Sequence, residues 1–101
     1  MTDQSRRVHE RFEVELDVTV LHGDKELAGK TINVSMGGMF IGFEESLPFG
    51  TVVKVRVTLP ALKEESDLPA TVRWVTPEGI GVQFGPLRAK ETWAMNELIK
   101  G

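Results

Sequence analysis

Two short segments carry the chain's most distinctive donor chemistry. The first is Arg7-Val8-His9-Glu10-Arg11, with Arg6 immediately before it. A guanidinium is a planar fork of donors that matches phosphate oxygens bidentately, and it also stacks on or hydrogen-bonds a flat base. Three of them within six residues suit a compact anion that carries bases, although a solvated basic terminus has the same appearance. The second segment is Asn33-Val34-Ser35-Met36-Gly37-Gly38. Asn offers a donor and an acceptor, Ser a hydroxyl, and Gly lets a backbone approach closely. Such a set can hydrogen-bond the edge of a base, and it also serves as an ordinary strand end running into a turn.

Other chemistry is poorly provided for. The only histidines, His9 and His22, share no strand or helix face, so no metal site is expected. Glu44-Glu45 and Glu64-Glu65 come without a base, nucleophile or metal ligand at a useful spacing and read as solvated charge. Ser35 has no histidine nearby in sequence and no nucleophile-elbow pattern. No catalytic residues, no metal and no cofactor are expected, and the chain is not read as an enzyme.

The elements that position these segments have period two. Phe12, Val14, Leu16, Val18 and Val20 alternate with Glu13, Glu15, Asp17 and Thr19, which predicts a half-buried first strand from Phe12. His22-Gly23-Asp24-Lys25 is a turn, and Leu27 to Val34 returns as a second strand on which Asn33 and Ser35 point opposite to Ile32 and Val34. Met39, Ile41 and Phe43 resume the pattern after Gly37-Gly38, and Leu47-Pro48-Phe49-Gly50 is a loop. Val53, Val55, Val57 and Leu59 form a fourth alternating run, and Pro60 to Ser66 reads as a surface loop. Leu68, Ala70, Val72 and Trp74 then face one way, with Thr71 and Arg73 on the other. A turn at Pro77-Glu78-Gly79 leads to Ile80, Val82 and Phe84. Six short antiparallel strands of this kind predict a mainly β fold, a small barrel or sandwich. From Leu87 to Lys100 there is no Pro or Gly, and Ala94, Met95, Leu98 and Ile99 cluster at helical spacing, so a C-terminal helix is expected over about 87–100. Trp93 lies off that stripe. No internal repeat is apparent.

Composition bounds the class. At 101 residues the chain has room for one core, and it is expected to bury about 65% of its unfolded surface. Hydrophobic residues make up 41% and charged residues 27%, as in an ordinary globular domain. No stretch is long and apolar enough to span a membrane, and residues 1–10 lack the apolar core of a signal peptide. With no cysteine there are no disulfides, which fits a cytoplasmic location. The net charge of −3 is unevenly spread: residues 1–11 carry +1, leaving −4 for the rest. An acidic body with seven aromatics (five Phe, two Trp) argues against a surface for nucleic-acid polymers, which wants a basic groove with interleaved aromatic rings.

Arg7-x-x-x-Arg11 followed by Asn33-x-Ser35-x-x-Gly38, in that order and at the entrance to the first strand and the end of the second, resembles the signature of the PilZ domain family. Ala70-Thr71-Val72-Arg73-Trp74-Val75 and Gly79-Ile80-Gly81-Val82-Gln83-Phe84 also look like that family's closing hairpin, so the likeness extends from about Ser5 into the C-terminal helix. The resemblance implies a six-stranded antiparallel PilZ-type β-barrel with a C-terminal helix. Residues 1–11 would form a flexible arginine-bearing arm and 12–101 a single domain. It also implies a stand-alone bacterial receptor for cyclic di-GMP that signals to an effector protein in processes such as motility. The other reading is a PilZ-like adaptor that does not bind the nucleotide.

By the same resemblance, Arg7 and Arg11 contact phosphates and guanine, while Asn33, Ser35 and Gly38 hold one base on the barrel. Arg6 stands where the family often has a further arginine that accompanies a stacked pair of ligands, so two ligands per chain is the preferred stoichiometry. Asn33 replaces an Asp frequent in the family and accepts through one neutral oxygen, a weaker acceptor for a guanine edge. The arm is expected to fold onto the barrel when ligand arrives, with charge-assisted contacts outweighing the lost chain entropy.

Overall fold

Alternation of buried and exposed side chains is clearest along β4 (Val52–Leu59), and the sheet that the strands build closes on itself. The computed structural model describes residues 12–42 and 47–100. Strands β1 (Asp17–His22), β2 (Lys25–Val34), β3 (Gly38–Gly42), β4 (Val52–Leu59), β5 (Glu64–Thr76) and β6 (Gly79–Phe84) precede helix α1 (Ala89–Lys100). All neighbours are antiparallel, in the order β1-β2-β3-β6-β5-β4, and β4 pairs with β1 to complete a barrel. Closure leaves no sheet edge open to another chain. Val20, Val34, Ile41, Val55, Leu68 and Val82, each fully buried, are among the side chains that fill the interior.

The first strand starts later than its alternation predicts. Residues 13–16 are extended but unpaired as a ladder, although Val14 and Leu16 are half-buried and Glu13 and Glu15 exposed as expected. They are held instead at two points. Phe12 and Val34 exchange both backbone hydrogen bonds at 2.8 Å. The buried Thr31 hydroxyl accepts from Leu16 N–H at 2.8 Å and donates to the Val14 carbonyl. The Thr31 backbone N–H also donates to the Leu16 carbonyl at 2.9 Å, so one residue's hydroxyl and amide together stand in for the missing ladder bonds.

Two further segments differ from expectation. The loop placed at Pro60 to Ser66 is shorter than expected: residues 60–63 form the turn and Glu64, Glu65 and Ser66 are already strand. Leu62 and Lys63 N–H both bond to the Leu59 carbonyl, and Lys63 takes a φ of 58°, so the chain reverses by Lys63 and β5 begins at Glu64. Glu64 and Glu65 line the outside of that strand, and Ser66 is buried. The helix begins at Ala89, not Leu87, because Glu91 reaches back to accept the Arg88 backbone N–H at 3.1 Å, a capping interaction that sets the first turn. Glu91, Ala94 and Met95 are buried, Trp93 is exposed, and Lys90 ties α1 to Glu64 of β5 at 2.9 Å.

Strands β2 and β5 each carry one extra residue. Thr31 faces Ile41 and Asn33 faces Phe40, which leaves Ile32 as a bulge on β2. Val72 faces Val82 and Trp74 faces Gly81, which leaves Arg73 as a bulge on β5. A bulge shifts the alternation by one. Ile32 is therefore 46% exposed beside Asn33, not opposite to it, and Trp74 is 52% exposed, not on the core face with Val72.

The clamp and the cap generate testable outcomes. Thr31→Val removes both hydroxyl bonds from a buried position and should lower the urea-unfolding free energy by about 1–3 kcal/mol. The Arg88 guanidinium, at 2.7 Å, holds the Glu91 carboxyl below its ordinary value of 4.5. A depressed native-state value adds stability above the unfolded one that is lost as pH falls through it. Acid unfolding of Glu91→Gln, followed below pH 4.5, should accordingly show a shallower loss than the native chain.

Candidate functional site

The Phe12–Val34 bridge joins the two sequence segments. Val34 lies between Asn33 and Ser35, so the chain enters the fold directly beside the motif at the end of β2. Arg11 is bonded to Phe12; Arg6, Arg7 and Arg11 lie outside the described residues, as do His9, Phe43, Glu44 and Glu45.

Ser35 and Gly38 build a turn. Ser35 is 4% exposed, and its hydroxyl accepts from Gly37 and Gly38 N–H at 3.2 Å each and lies 3.3 Å from the Gly38 carbonyl, to which it donates. Its backbone N–H bonds the same carbonyl at 2.8 Å. The hydroxyl therefore faces into the turn, and Ser35 acts by shaping the backbone next to Asn33. The Gly37 carbonyl receives Phe84 N–H at 2.8 Å, fixing the turn to β6.

Asn33, by contrast, is half-buried on the outer surface and belongs to a row that crosses four strands. Asn33 pairs with Phe40, Phe40 with Gly81, and Gly81 with Trp74. An open cleft of about 370 Å³ is lined by Asn33, Phe40, Trp74 and Thr76. Gly81 is the floor under the indole: a Cβ there would stand 2.6 Å from Cε3 of Trp74. The absent side chain lets the ring lie against the sheet. An amide edge and two aromatic rings over one opening can bind a flat heterocycle by its edge and its faces.

Phe40 and Trp74 were not among the residues singled out from sequence. Phe40 stands out of phase with buried Met39 and Ile41, which marks it as outward-facing. Trp74 was hidden by the bulge at Arg73. Among the described residues no three His, Cys, Asp or Glu side chains converge as metal ligands, and no helix is long and apolar enough to cross a membrane.

The PilZ domain model matches residues 5–100, and the chain belongs to that family, whose members are typically non-enzymatic receptor or adaptor modules. Its fold is also that of the PilZ domain of CeSA from a cellulose-synthesizing bacterium, with TM-score 0.72 and 23% identity over 91% of this chain and 96% of that one. The Bacillus subtilis inhibitor of motility, MotI/DgrA, is similar with TM-score 0.75 and 21% identity over 94% of this chain, which spans half the length of that protein. No curated protein sequence matches this chain.

Gly81→Ala should displace the Trp74 indole while leaving the core intact. In a Trp93→Phe background, where Trp74 is the sole tryptophan, the emission maximum of Gly81→Ala should move relative to its parent, with an unchanged far-ultraviolet circular dichroism spectrum.

Proposed function

We propose that this PilZ domain is a cytoplasmic receptor for cyclic di-GMP that passes its occupancy to a partner protein. The observation that carries the reading is the Asn33–Phe40–Gly81–Trp74 row, an edge-and-face platform for a base, at the point where an arginine-rich segment joins the barrel. Cyclic di-GMP presents two guanines and two phosphodiester charges. Asn33 meets a guanine edge, Phe40 and Trp74 meet base faces, and the Ser35–Gly38 turn holds Asn33 in place. Arg7 and Arg11 bind phosphate or guanine, and Arg6 adds the third guanidinium that a stacked pair of ligands with four charges favours.

Connectivity supports this division of labour. Arg11 is one residue from the Phe12–Val34 bridge and Arg7 five, so at about 3.5 Å per residue both are tethered within about 18 Å of it. Folding of the arm onto bound nucleotide creates a surface that the empty protein lacks, and that surface is the signal. The fold shared with an inhibitor of motility and with the PilZ domain of CeSA from a cellulose-synthesizing bacterium makes motility and polysaccharide-synthesis machinery the classes of partner to test first.

Calorimetric titration with cyclic di-GMP, beside GTP and a short oligonucleotide, tests the reading. Only the cyclic dinucleotide should bind tightly. Arg7→Ala or Arg11→Ala should abolish or severely weaken binding, Asn33→Ala should weaken it about tenfold, and amide signals of residues 5–11 should move on titration. No heat with cyclic di-GMP, or native affinity in both arginine variants, would refute it.

A further inference from the structure

Two segments 41 residues apart repeat one local geometry. Ile32 is the bulge before Asn33, and Arg73 is the bulge before Trp74. Val34-Ser35-x-x-Gly38 has its counterpart in Val75-Thr76-x-x-Gly79. The Thr76 hydroxyl accepts from Glu78 and Gly79 N–H at 3.2 Å and lies 3.3 Å from the Gly79 carbonyl, the distances found at Ser35. A Cβ on Gly38 would stand 2.0 Å from the Val82 carbonyl oxygen, and a Cβ on Gly79 would stand 2.0 Å from that of Ile41, again 41 residues apart. The β3–β6 register makes the relation a local twofold: Met39 pairs with Val82, Phe40 with Gly81 and Ile41 with Ile80. The axis passes between Phe40 and Gly81, beside the cleft. No repeat is visible in composition because only the turn and bulge positions are kept.

Under this twofold, Trp74 is the counterpart of Asn33 and Arg73 the counterpart of Ile32. Cyclic di-GMP is itself twofold symmetric, with a guanine and a phosphate in each half. We propose that Arg73 binds a phosphate of the ligand, as the cation of a second half-site that the β5–β6 hairpin contributes together with Trp74. The inference rests on the receptor reading above and extends it to a residue outside the arm and the motif at the end of β2.

Arg73 is prepared for an anion. Among the three described arginines, Arg56 pairs with Asp67 and Arg88 with Glu91, and Arg73 has no carboxylate partner. Its Nε donates to Gln83 Oε1 at 3.0 Å, which leaves the two terminal nitrogens for a ligand. Its guanidinium carbon stands 6.0 Å from the centre of the Phe49 ring. The loop bearing Phe49 is pinned to the residue before the bulge, with Gly50 N–H donating to the Val72 carbonyl at 2.7 Å and Val72 N–H to that of Thr51 at 2.9 Å. An exposed arginine fixed from two sides loses little entropy on binding, and its planar fork matches phosphate oxygens. Gln83, its anchor, pairs with Gly38, so the Arg73 cation lies on the same face as the Ser35–Gly38 turn.

The test is calorimetry of the full chain with cyclic di-GMP, comparing the native protein with Arg73→Ala, Arg73→Lys and Lys54→Ala. Arg73→Ala should weaken binding by about tenfold or more, and Arg73→Lys, which keeps the charge but not the fork, by less. Lys54→Ala, which removes an exposed cation elsewhere on β4, should bind as the native chain does. The Arg73→Ala and Asn33→Ala losses should multiply in the double variant, as for separate half-sites. Thermal melting checks each fold, and Arg73→Gln, which keeps most of the side-chain length, replaces any alanine variant that melts early. Native affinity in Arg73→Ala, or an equal loss in Lys54→Ala, overturns the half-site while leaving the receptor reading in place. A native chain that does not bind overturns both.

Discussion

An extra residue in one strand of a paired ladder forces two consecutive side chains onto the same face, and the outer surface of this barrel depends on that constraint at two places. At Ile32–Asn33 and at Arg73–Trp74 the strict alternation that fills the core would send one member of each pair inward. The bulges let Thr31, Val34 and Val72 stay inside while Asn33 and Trp74 emerge on opposite sides of Phe40 and Gly81. Core and cleft are thus compatible because the ladder is broken twice. The turns that follow each bulge, stapled by a Ser or Thr hydroxyl, confine the irregularity to a few residues.

Closure of the sheet has a second effect. Since every strand is paired on both sides, the segment before β1 has nowhere to add as an edge strand, and it is fastened by a single bridge and by the backbone N–H and hydroxyl of Thr31. The fastening is local, and it falls at the motif. Helix α1, capped by Glu91 and tied to β5 by Lys90, covers another part of the barrel and contributes Ala94 and Met95 to the buried interior.

Period-two hydrophobicity is enough to read the six strands, since core packing and alternation are the same fact seen from two sides, and the change to helical spacing after Pro86 marks the terminal helix. The alternation fails where the backbone departs from that period. Trp74 was assigned to the core because nothing in Val72-Arg73-Trp74 announces an extra residue, and Ile32 was turned inward for the same reason. Glu64 and Glu65 were read as loop because polarity on a solvated strand face looks like polarity in a turn. In the site, Asn33, Ser35 and Gly38 were legible as a motif, but the buried role of the Ser35 hydroxyl was not, since sequence gives a side chain's chemistry and not its direction. Phe40 and Trp74 enter the cleft through cross-strand pairing, which links residues that are 34 positions apart in sequence.

The Phe12–Val34 bridge also sets a local concentration. A group tethered one or five residues from a fixed point has a local concentration independent of the protein concentration, and the entropy of bringing it to a ligand rises only slowly with tether length. In the proposed receptor, the arginines of the arm would meet a nucleotide seated in the cleft as an intramolecular step. A change of one or two residues between Arg11 and that anchor would alter how efficiently the two halves of the proposed site cooperate, without touching a single contact within the barrel.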